Sequence, residues 1–380
     1  MRVAFYAPMK PPDHPVPSGD RQMAQLLLRA LKDGGHQVEI ASRLRSWQAT
    51  PDAERQARVD RLGQRLAKRL LQRYRARHPA DRPSVWLTYH LYYKAPDFIG
   101  PRVAAGLGIP YLAAEASLAE KRAGGPWDYG HRAAKQAMGE ARALLTLNPD
   151  DGHSLLPAWR QRRLHPFLDS APYEEASRAR AQHRRQWAER SEADERQPWL
   201  VALAMMREGD KLASYRLLAQ SLRGLPDLPW QLLIAGDGPA RAQVERAFQA
   251  FATGRKKRVH FLGELRAEAV PGLLAAADLA VWPAIGEAYG MALLEAQAAA
   301  TPVVAGKLPG VAAIVEEGRS GILTKPGDAA TFAAAIRALL SAPALRRQMS
   351  LGAQELVFER HSLRAAAERL TEILEEAVRA

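Results

Sequence analysis

The stretch VWPAIGEAYGMALLEAQAAATPVVA, residues 281–305, decides the predicted fold of this 380-residue chain. Its first residues belong to a short apolar run with strand character, and Pro283 and Gly286 interrupt that run. An Ala- and Leu-rich segment typical of a helix follows. Thr301-Pro302 ends it, because the residue before a proline avoids the helical conformation. Strand, loop, helix and a further strand predict a βαβ unit of a parallel sheet.

Two carboxylates in this stretch are candidates for binding a ligand. Glu287 lies in the predicted loop, and Glu295 lies in the predicted helix. Ligands of open parallel sheets bind at the carboxyl ends of the strands, which is where Glu287 is expected. A carboxylate accepts hydrogen bonds on two oxygens, so it fits the paired hydroxyls of a sugar or a ribose. Two glutamates at this spacing are also typical of a solvated helix face, so the pair alone does not decide.

The backbone at the start of the predicted helix adds a third element. Its amides favour a phosphate, because unpaired N–H groups and the helix dipole meet at a helix N-terminus. The candidate donor-binding residues there are Ala288, Tyr289, Gly290 and Met291. A sugar-hydroxyl acceptor, a phosphate seat and a ribose acceptor therefore follow each other in the order that a nucleotide-sugar needs.

The E-x7-E spacing of Glu287 and Glu295, the following TPVVA and the segment GVAAIVEEGRSGIL resemble the donor-site signature of retaining family-4 glycosyltransferases, the glycosyl transferases group 1. The resemblance covers nearly the whole chain and is strongest in its second half. It implies an α/β fold of GT-B architecture, with two Rossmann-like parallel-sheet domains facing a central cleft. It also implies that Glu287 contacts the donor sugar and Glu295 the ribose.

Composition bounds the class of protein. The absence of cysteine excludes disulfides, thiolate catalysis and cysteine-ligated metal, and it fits a reducing compartment. No apolar run approaches the roughly 18 residues of a spanning helix, and MRVAFYAP predicts a first strand rather than a signal peptide. We therefore expect a cytoplasmic protein, soluble or peripheral at the inner face of the membrane. The net charge of +13 indicates attraction to phosphorylated substrates, anionic lipid or nucleic acid.

The alternation of predicted strands and helices indicates the domain organisation. Residues 1–170 form an acceptor-side Rossmann-like domain, and residues 198–360 form the donor domain. The polar segment 171–197 is interpreted as the connection, because no core strand passes through it. The resemblance implies that the last helix, residues 361–380, returns to the first domain.

The first half offers candidates for the acceptor side. A long loop after the first strand reaches Gly19 at a helix start, where the resemblance implies contact with the donor diphosphate; an ordinary turn glycine is the alternative. Further strand ends deliver polar residues that could orient an acceptor, although ordinary loop-end residues explain them as well. They are His90, Glu115, Ser117 and Lys121. The resembled enzymes often have a histidine where Glu115 stands.

Residues 61–77 are rich in basic side chains and contain no acidic one. An apolar stripe at helical spacing accompanies them: Val59, Leu62, Leu66, Leu70 and Tyr74. One interpretation is a helix that contacts an anionic membrane surface or a lipid-linked acceptor. The other is a solvated face above a core stripe.

Arg207 and Lys211 follow the first strand of the second half. A nucleoside diphosphate gathers negative charge as it leaves, so cations aimed at it stabilise the transition state more than the ground state. The resemblance implies these roles, although the spacing of the two cations is slightly compressed. Surface ion pairs involving Glu208 are the alternative.

Two glycine turns and one absence complete the pattern. Gly236 and Gly238 in IAGDGP are a weak dinucleotide signal; they resemble the GDGP turn of the same glycosyltransferases, which implies a place beside the nucleotide. Gly263 in FLGEL is expected near the base. Asp150 and Asp151 are adjacent rather than spaced as D-x-D, so we expect neither a metal nor another cofactor.

The preferred hypothesis is a metal-independent hexosyltransferase of polysaccharide biosynthesis, which moves a sugar to a saccharide or lipid-linked acceptor with retention. A GT-B-like sugar-nucleotide epimerase or hydrolase is the alternative enzyme. A non-catalytic protein that binds nucleic acid or membrane is the alternative from another class. The two glutamates disfavour a polyanion binder, so no nucleic-acid partner is expected. The base, the sugar and the acceptor stay undecided.

Overall fold

The computed structural model describes residues 1–16, 18–147, 160–252 and 257–379. The chain divides into two α/β units. The first unit comprises Met1–His165 together with Leu363–Ala380, and the second comprises Pro166–Ser362.

A six-stranded parallel sheet forms the centre of the first unit. Its strands are β1 (Arg2–Tyr6), β2 (Gln37–Ser42), β3 (Val85–Leu91), β4 (Tyr111–Ala116), β5 (Ala143–Thr146) and β6 (Gln161–Arg163). The strand order is β2-β1-β3-β4-β5-β6, so the direction of winding reverses between β1 and β3. The carboxyl ends of strands on either side of such a reversal are where parallel sheets bind ligands.

Helices connect these strands and cover the sheet. They are α1 (Gly19–Asp33), α2 (Ala53–Arg75), α3 (Gly100–Leu107), α4 (Asp128–Glu140) and α14 (Leu363–Arg379), the last of which comes from the end of the chain. Helix α14 packs on α1. Thr371 of α14 is hydrogen-bonded to His36, with 2.9 Å between Oγ1 and Nε2.

The second unit repeats the plan with its own six-stranded parallel sheet. Its strands are β7 (Trp199–Leu203), β8 (Gln231–Ala235), β9 (Val259–Gly263), β10 (Leu279–Trp282), β11 (Val303–Gly306) and β12 (Gly321–Thr324). The order β12-β11-β10-β7-β8-β9 places the reversal between β7 and β10. The four central strands β7, β8, β10 and β11 are apolar and almost fully buried, as expected where helices cover both faces of a sheet, whereas the edge strands β9 and β12 are partly exposed.

The helices of the second unit alternate with its strands. They are α5 (Ala171–Arg178), α6 (Arg180–Ser191), α7 (Asp210–Arg223), α8 (Arg241–Ala252), α9 (Val270–Ala276), α10 (Met291–Ala298), α11 (Pro309–Ala312), α12 (Ala329–Ser341) and α13 (Pro343–Leu356). Strand β10, helix α10 and strand β11 form the βαβ unit that the opening stretch predicts. The predicted α/β class with two parallel sheets is confirmed.

The segment 171–197, predicted as a connection, lies instead within the second unit. Helices α5 and α6 both pack on α9. Arg180 and Arg184 of α6 donate to the two carboxylate oxygens of Asp278, at 2.8 and 2.9 Å. These helices are anchored largely by polar contacts and bury few apolar side chains, among them Ala176 and Trp187. The apolar periodicity that reveals a core helix is therefore weak in this segment.

Helix α2 shows both features that its sequence suggests. Leu70 and Tyr74 of the predicted stripe are buried, whereas Leu62 is 37% exposed. The helix begins at Ala53, and it carries exposed cations on its other face. Among the described residues, no ion pair is found for several of these cations, including Arg61, Arg65 and Lys68. None of the described helices has the length and apolar character that crossing a bilayer requires.

Candidate functional site

The carboxyl edge of the second sheet brings Glu287 and Lys211 together at the reversal between β7 and β10. Lys211 lies in the first turn of α7, and Glu287 lies in the loop after β10. The Lys211 ammonium forms an ion pair with Glu287 Oε2. Trp282 donates from its ring nitrogen to the same oxygen at 3.2 Å, and its ring lies 5.4 Å from the ammonium.

This cluster of Lys211, Trp282 and Glu287 is accessible to a ligand. The side chains of Lys211 and Glu287 keep 28% and 17% of their exposure. Within the described chain, the contacts of the Glu287 carboxylate are all made by Oε2. The second oxygen, Oε1, can therefore accept a hydroxyl while the ion pair persists. Trp282 was not foreseen as a site residue, because it ends a strand as a core tryptophan does.

The loop that carries Glu287 is held by its neighbours. Ser214 of α7 accepts a hydrogen bond from the Ile285 amide at 2.9 Å. Ala284 has a left-handed φ of 59°, which is unfavourable for a residue with a side chain and persists only where the surroundings impose it. A Cβ added to Gly310 of α11 would lie 1.5 Å from the Ala288 carbonyl oxygen, so the two backbones touch. The loop therefore has a fixed path.

Helix α10 begins at Met291, as the predicted phosphate seat requires. Gly290 precedes it in the left-handed conformation, and no side chain caps the helix start. Its first amides are therefore not occupied by a side-chain cap. The backbone of Ala288 and Tyr289 leads directly into this turn.

Glu295 lies in the second turn of α10 and is half-buried. Burial raises the pKa of its carboxyl group to about 7, and a hydrogen bond with Tyr173 of α5 partly opposes this rise. Burial, followed by the charge of Glu295, raises the pKa of the Tyr173 hydroxyl as well. Tyr173 was missed because it belongs to the segment interpreted as a connection, and no local pattern links it to α10.

Arg207 lies in the segment between β7 and α7 and is exposed. The alternative of a surface pair with Glu208 is not seen: Glu208 accepts instead from the Gln243 amide at 3.2 Å. Within the described residues no ion pair of Arg207 is found, so its guanidinium is available to an anion. Lys211, in contrast, is engaged by Glu287.

The glycines of the GDGP turn fit a close backbone contact. A Cβ on Gly236 would lie 1.9 Å from the Ala204 carbonyl oxygen, and one on Gly238 would lie 2.5 Å from that of Met206. The Gly236 amide also donates to the Gly263 carbonyl at 2.8 Å. These glycines therefore join the ends of β7, β8 and β9.

The carboxyl edge of the first sheet brings together three of the other predicted residues. His90 and Glu115 occupy matching positions on the paired strands β3 and β4, and both have a left-handed φ, of 63° and 54°. Gly19 opens α1 with free space around it. The next residue, Asp20, lies 3.1 Å from Nδ1 of His90, and this contact lowers the pKa of Asp20. Asp20 was missed, although it completes the motif PSGD.

The other predicted residues are less informative. Ser117 and Lys121 are exposed on the segment after β4. Asp150 and Asp151 lie outside the described residues. Within the described residues, no group of three or more histidine and acidic side chains is placed to hold a metal ion.

Comparison with solved structures defines the fold class. The chain matches a glycosyltransferase from Rickettsia africae with a TM-score of 0.75 at 13% identity, over 99% of this chain and 98% of that one. It also matches the Anabaena protein HepE in complex with UDP, with a TM-score of 0.69 and 16% identity. This match covers 99% of this chain and 100% of the HepE chain. The predicted GT-B fold is confirmed.

The family resemblance is confirmed for the second unit. Residues 198–342 match the family model described as glycosyl transferases group 1. The chain is 35% identical to the alpha-D-kanosaminyltransferase of Streptomyces kanamyceticus over 146 residues. The aligned residues make up 38% of this chain and 37% of that protein. The chain is also 38% identical to a D-inositol 3-phosphate glycosyltransferase of Corynebacterium urealyticum over 120 residues. That alignment covers 30% of this chain and 28% of the relative. The match spans well under half the length of these relatives.

Replacing Gly236 tests the packing role of the GDGP turn. Gly236→Ala is expected to lower the free energy of unfolding by about 2–4 kcal/mol, because the new Cβ overlaps the Ala204 carbonyl and φ is 141°. Urea unfolding measures the change. Gly139→Ala in α4, where a Cβ meets open space, is the control and should change stability by less than about 1 kcal/mol. Equal stability of Gly236→Ala and the parent would contradict the packing role.

The raised pKa of Glu295 predicts a pH-dependent stability. The folded state binds this proton more tightly than the unfolded chain, whose ordinary pKa is 4.5. The stabilisation that protonated Glu295 gives the folded state is therefore fully present below pH 4.5, and it is lost as the pH rises to about 7. Glu295→Gln should gain stability relative to the parent between about pH 5 and pH 8. Urea unfolding of parent and variant across this pH range measures the difference in the free energy of unfolding. Glu189→Gln, at an exposed position of α6, is the control for the loss of one carboxylate. A difference between Glu295→Gln and the parent that does not change with pH would refute the raised pKa of Glu295.

Proposed function

We propose that this protein is a glycosyltransferase that moves a sugar from a nucleotide-sugar donor to an acceptor. The observation that carries the proposal is the juxtaposition of Glu287, Lys211 and the uncapped start of α10 at one edge of the second sheet. A carboxylate for hydroxyls and a cation beside a helix N-terminus form a complementary pair of subsites for a sugar diphosphate. Both subsites lie within the matched residues 198–342.

Each group then has a defined task. Oε1 of Glu287 accepts from donor-sugar hydroxyls, and Glu295 accepts from the ribose. Arg207, Lys211 and the first amides of α10 hold the diphosphate. These cations stabilise the charge that the leaving nucleoside diphosphate acquires, so they act most strongly in the transition state. A uridine donor is the first candidate, because HepE, which shares the fold, is seen in complexes with UDP and with UDP-glucose.

The ion pair between Lys211 and Glu287 suggests how the site responds to its donor. Without a donor, each group neutralises the other at half-buried positions. A bound diphosphate competes for the ammonium, and the released carboxylate gains strength as an acceptor for sugar hydroxyls. The donor thus replaces one ion pair with two charge-assisted contacts. Nothing in this scheme needs a metal ion, and we propose that the transfer proceeds without one and with retention at the anomeric carbon.

A donor panel combined with an acceptor test decides the function. Thermal shifts with UDP, GDP, ADP and dTDP and their sugars should show one base that stabilises the fold, by about 2.7 kcal/mol at a hundred times its dissociation constant. Turnover of that donor should then require an added saccharide or lipid-linked acceptor. Turnover without acceptor would favour the epimerase or hydrolase, and no stabilisation by any donor would contradict the proposal.

Glu287→Gln tests the central carboxylate. The amide keeps an acceptor oxygen but loses the charge, so we expect turnover to fall by roughly 10- to 100-fold, the equivalent of a charge-assisted hydrogen bond of about 1.5–3 kcal/mol. Steady-state kinetics with the donor found above measure the loss, and urea unfolding shows whether the fold is retained. Glu189→Gln, an exposed residue on α6, is the control and should turn over as the parent does. Parental kinetics in Glu287→Gln would remove this role.

We further propose that the exposed basic face of α2 contacts an anionic membrane or a lipid-linked acceptor. Arg61, Arg65 and Lys68 offer uncompensated charge there. Replacing all three with glutamine should weaken binding to anionic vesicles roughly a hundredfold at low salt, since each cation near such a surface contributes about 1 kcal/mol. Replacing the exposed Arg223, Arg246 and Arg266 of the second unit is the control for net charge. Equal co-sedimentation of both triple variants would argue for a merely solvated face.

A further inference from the structure

A depression lined by arginines lies at the edge of the second sheet opposite the candidate donor site. Its volume is about 540 Å³. Asp278, which immediately precedes β10, and Pro302, which precedes β11, are in its wall, so it lies at the amino ends of these strands. Glu287 follows the carboxyl end of β10. The arginines that line the depression are Arg178, Arg180, Arg346 and Arg347.

Two of these guanidinium groups are held in place by backbone carbonyls. Arg180 donates from Nη1 to the carbonyl oxygens of Ala275 and Ala277, at 2.6 and 2.5 Å, at the end of α9. Arg346 donates from Nη1 to the carbonyl oxygens at the end of α12, at 2.9 Å to Leu339 and 3.4 Å to Leu340. Carbonyl contacts fix the position of a guanidinium without cancelling its charge. Both groups are therefore preorganised, and Arg180 also forms an ion pair with Asp278.

The acidic side chains nearby do not neutralise this cluster. Asp278 is the only carboxylate among the described residues that line the depression. Both its oxygens are engaged by Arg180 and Arg184, and it also accepts from the Trp199 amide. Arg178 is 4.0 Å from Glu174 and keeps 78% of its side-chain exposure, so that contact is weak. Positive charge therefore remains in excess in the depression.

The placement of Arg346 and Arg347 is unfavourable without an anion. Arg346 ends the first turn of α13 and Arg347 begins the second. The helix dipole near a helix start favours acidic side chains and disfavours cations. Burial lowers the pKa of Arg180; the Asp278 carboxylate opposes this shift, and the like charges of Arg184 and Arg346 add to it. Arg347 is exposed, and within the described chain no ion pair is found for it. Arg347 therefore adds to this cluster a positive charge that no ion pair within the described chain balances.

We propose that this depression binds a small molecule that carries a phosphate or diphosphate group. The planar guanidinium group matches phosphate oxygens with two parallel N–H donors, which makes arginine clusters typical of phosphate recognition. Arg346 keeps Nε and Nη2 for such a ligand, since its carbonyl contacts use Nη1 alone among the described residues. The depression is large enough for a diphosphate and lies on one unit. It is a second anion site, and it does not depend on the proposed transferase activity.

Titration of pyrophosphate at constant ionic strength tests the site. Calorimetry should show at least about tenfold weaker binding to Arg346→Gln/Arg347→Gln than to the parent, because bidentate charge-assisted contacts are lost. Arg223→Gln/Arg246→Gln, two exposed arginines of α7 and α8, removes the same charge elsewhere and should bind as the parent does. Equal affinity in the two double variants, or no saturable binding by the parent, would overturn the proposal.

A local measurement separates this site from the donor site, where pyrophosphate is also expected to bind. Modification of arginines by phenylglyoxal, mapped by mass spectrometry, should slow at Arg346 and Arg347 when pyrophosphate is present, and equally so in the Lys211→Ala variant. Unchanged modification of both arginines would refute the site even if calorimetry detects binding. Arg347→Gln alone, which leaves the anchored Arg346 intact, replaces the double variant if the latter unfolds, and parental affinity in it would count against the proposal.

Discussion

Backbone contacts with no room for a side chain fix the carboxyl edge of the second sheet. Gly236 lies against the Ala204 carbonyl, and Gly310 lies against that of Ala288. Since these are contacts between main chains, the segment after β7 is fixed against that after β8, and the loop after β10 is fixed against α11. The hydrogen bond between Ser214 of α7 and the Ile285 amide links these two pairs, and Lys211 and Glu287 meet across that link. Their ion pair is therefore better seen as a result of this backbone arrangement than as its cause.

The excess of positive charge is distributed according to position in the fold. On α2 the positive charge forms an exposed face. At the carboxyl edge of the second sheet, Glu287 neutralises part of it through its ion pair with Lys211. At the amino edge of the second sheet, Asp278 ties α6 to the start of β7 and β10. Asp278 thus accepts hydrogen bonds from several donors, whereas no ion pair within the described chain balances Arg346 and Arg347. The net charge of +13 is therefore the sum of separate local concentrations of positive charge.

Much of the fold follows from local sequence, because buried parallel strands are short apolar runs bounded by glycine and proline. Glu287 and the start of α10 could be located for the same reason. Tyr173 and Asp20 could not, since each acts through a partner far along the chain, Glu295 and His90. Helix α6 was not predicted as part of the second unit, because arginine contacts to backbone carbonyls, rather than an apolar stripe, attach it there.

The return of α14 to the first unit makes that unit discontinuous in sequence, with the whole second unit inserted between β6 and α14. During synthesis, α1 is made before the whole second unit, and its packing partner α14 is made after it. The contact between α1 and α14 can therefore form only once the second unit has left the ribosome. The second unit is a continuous segment, so its own contacts carry no such delay.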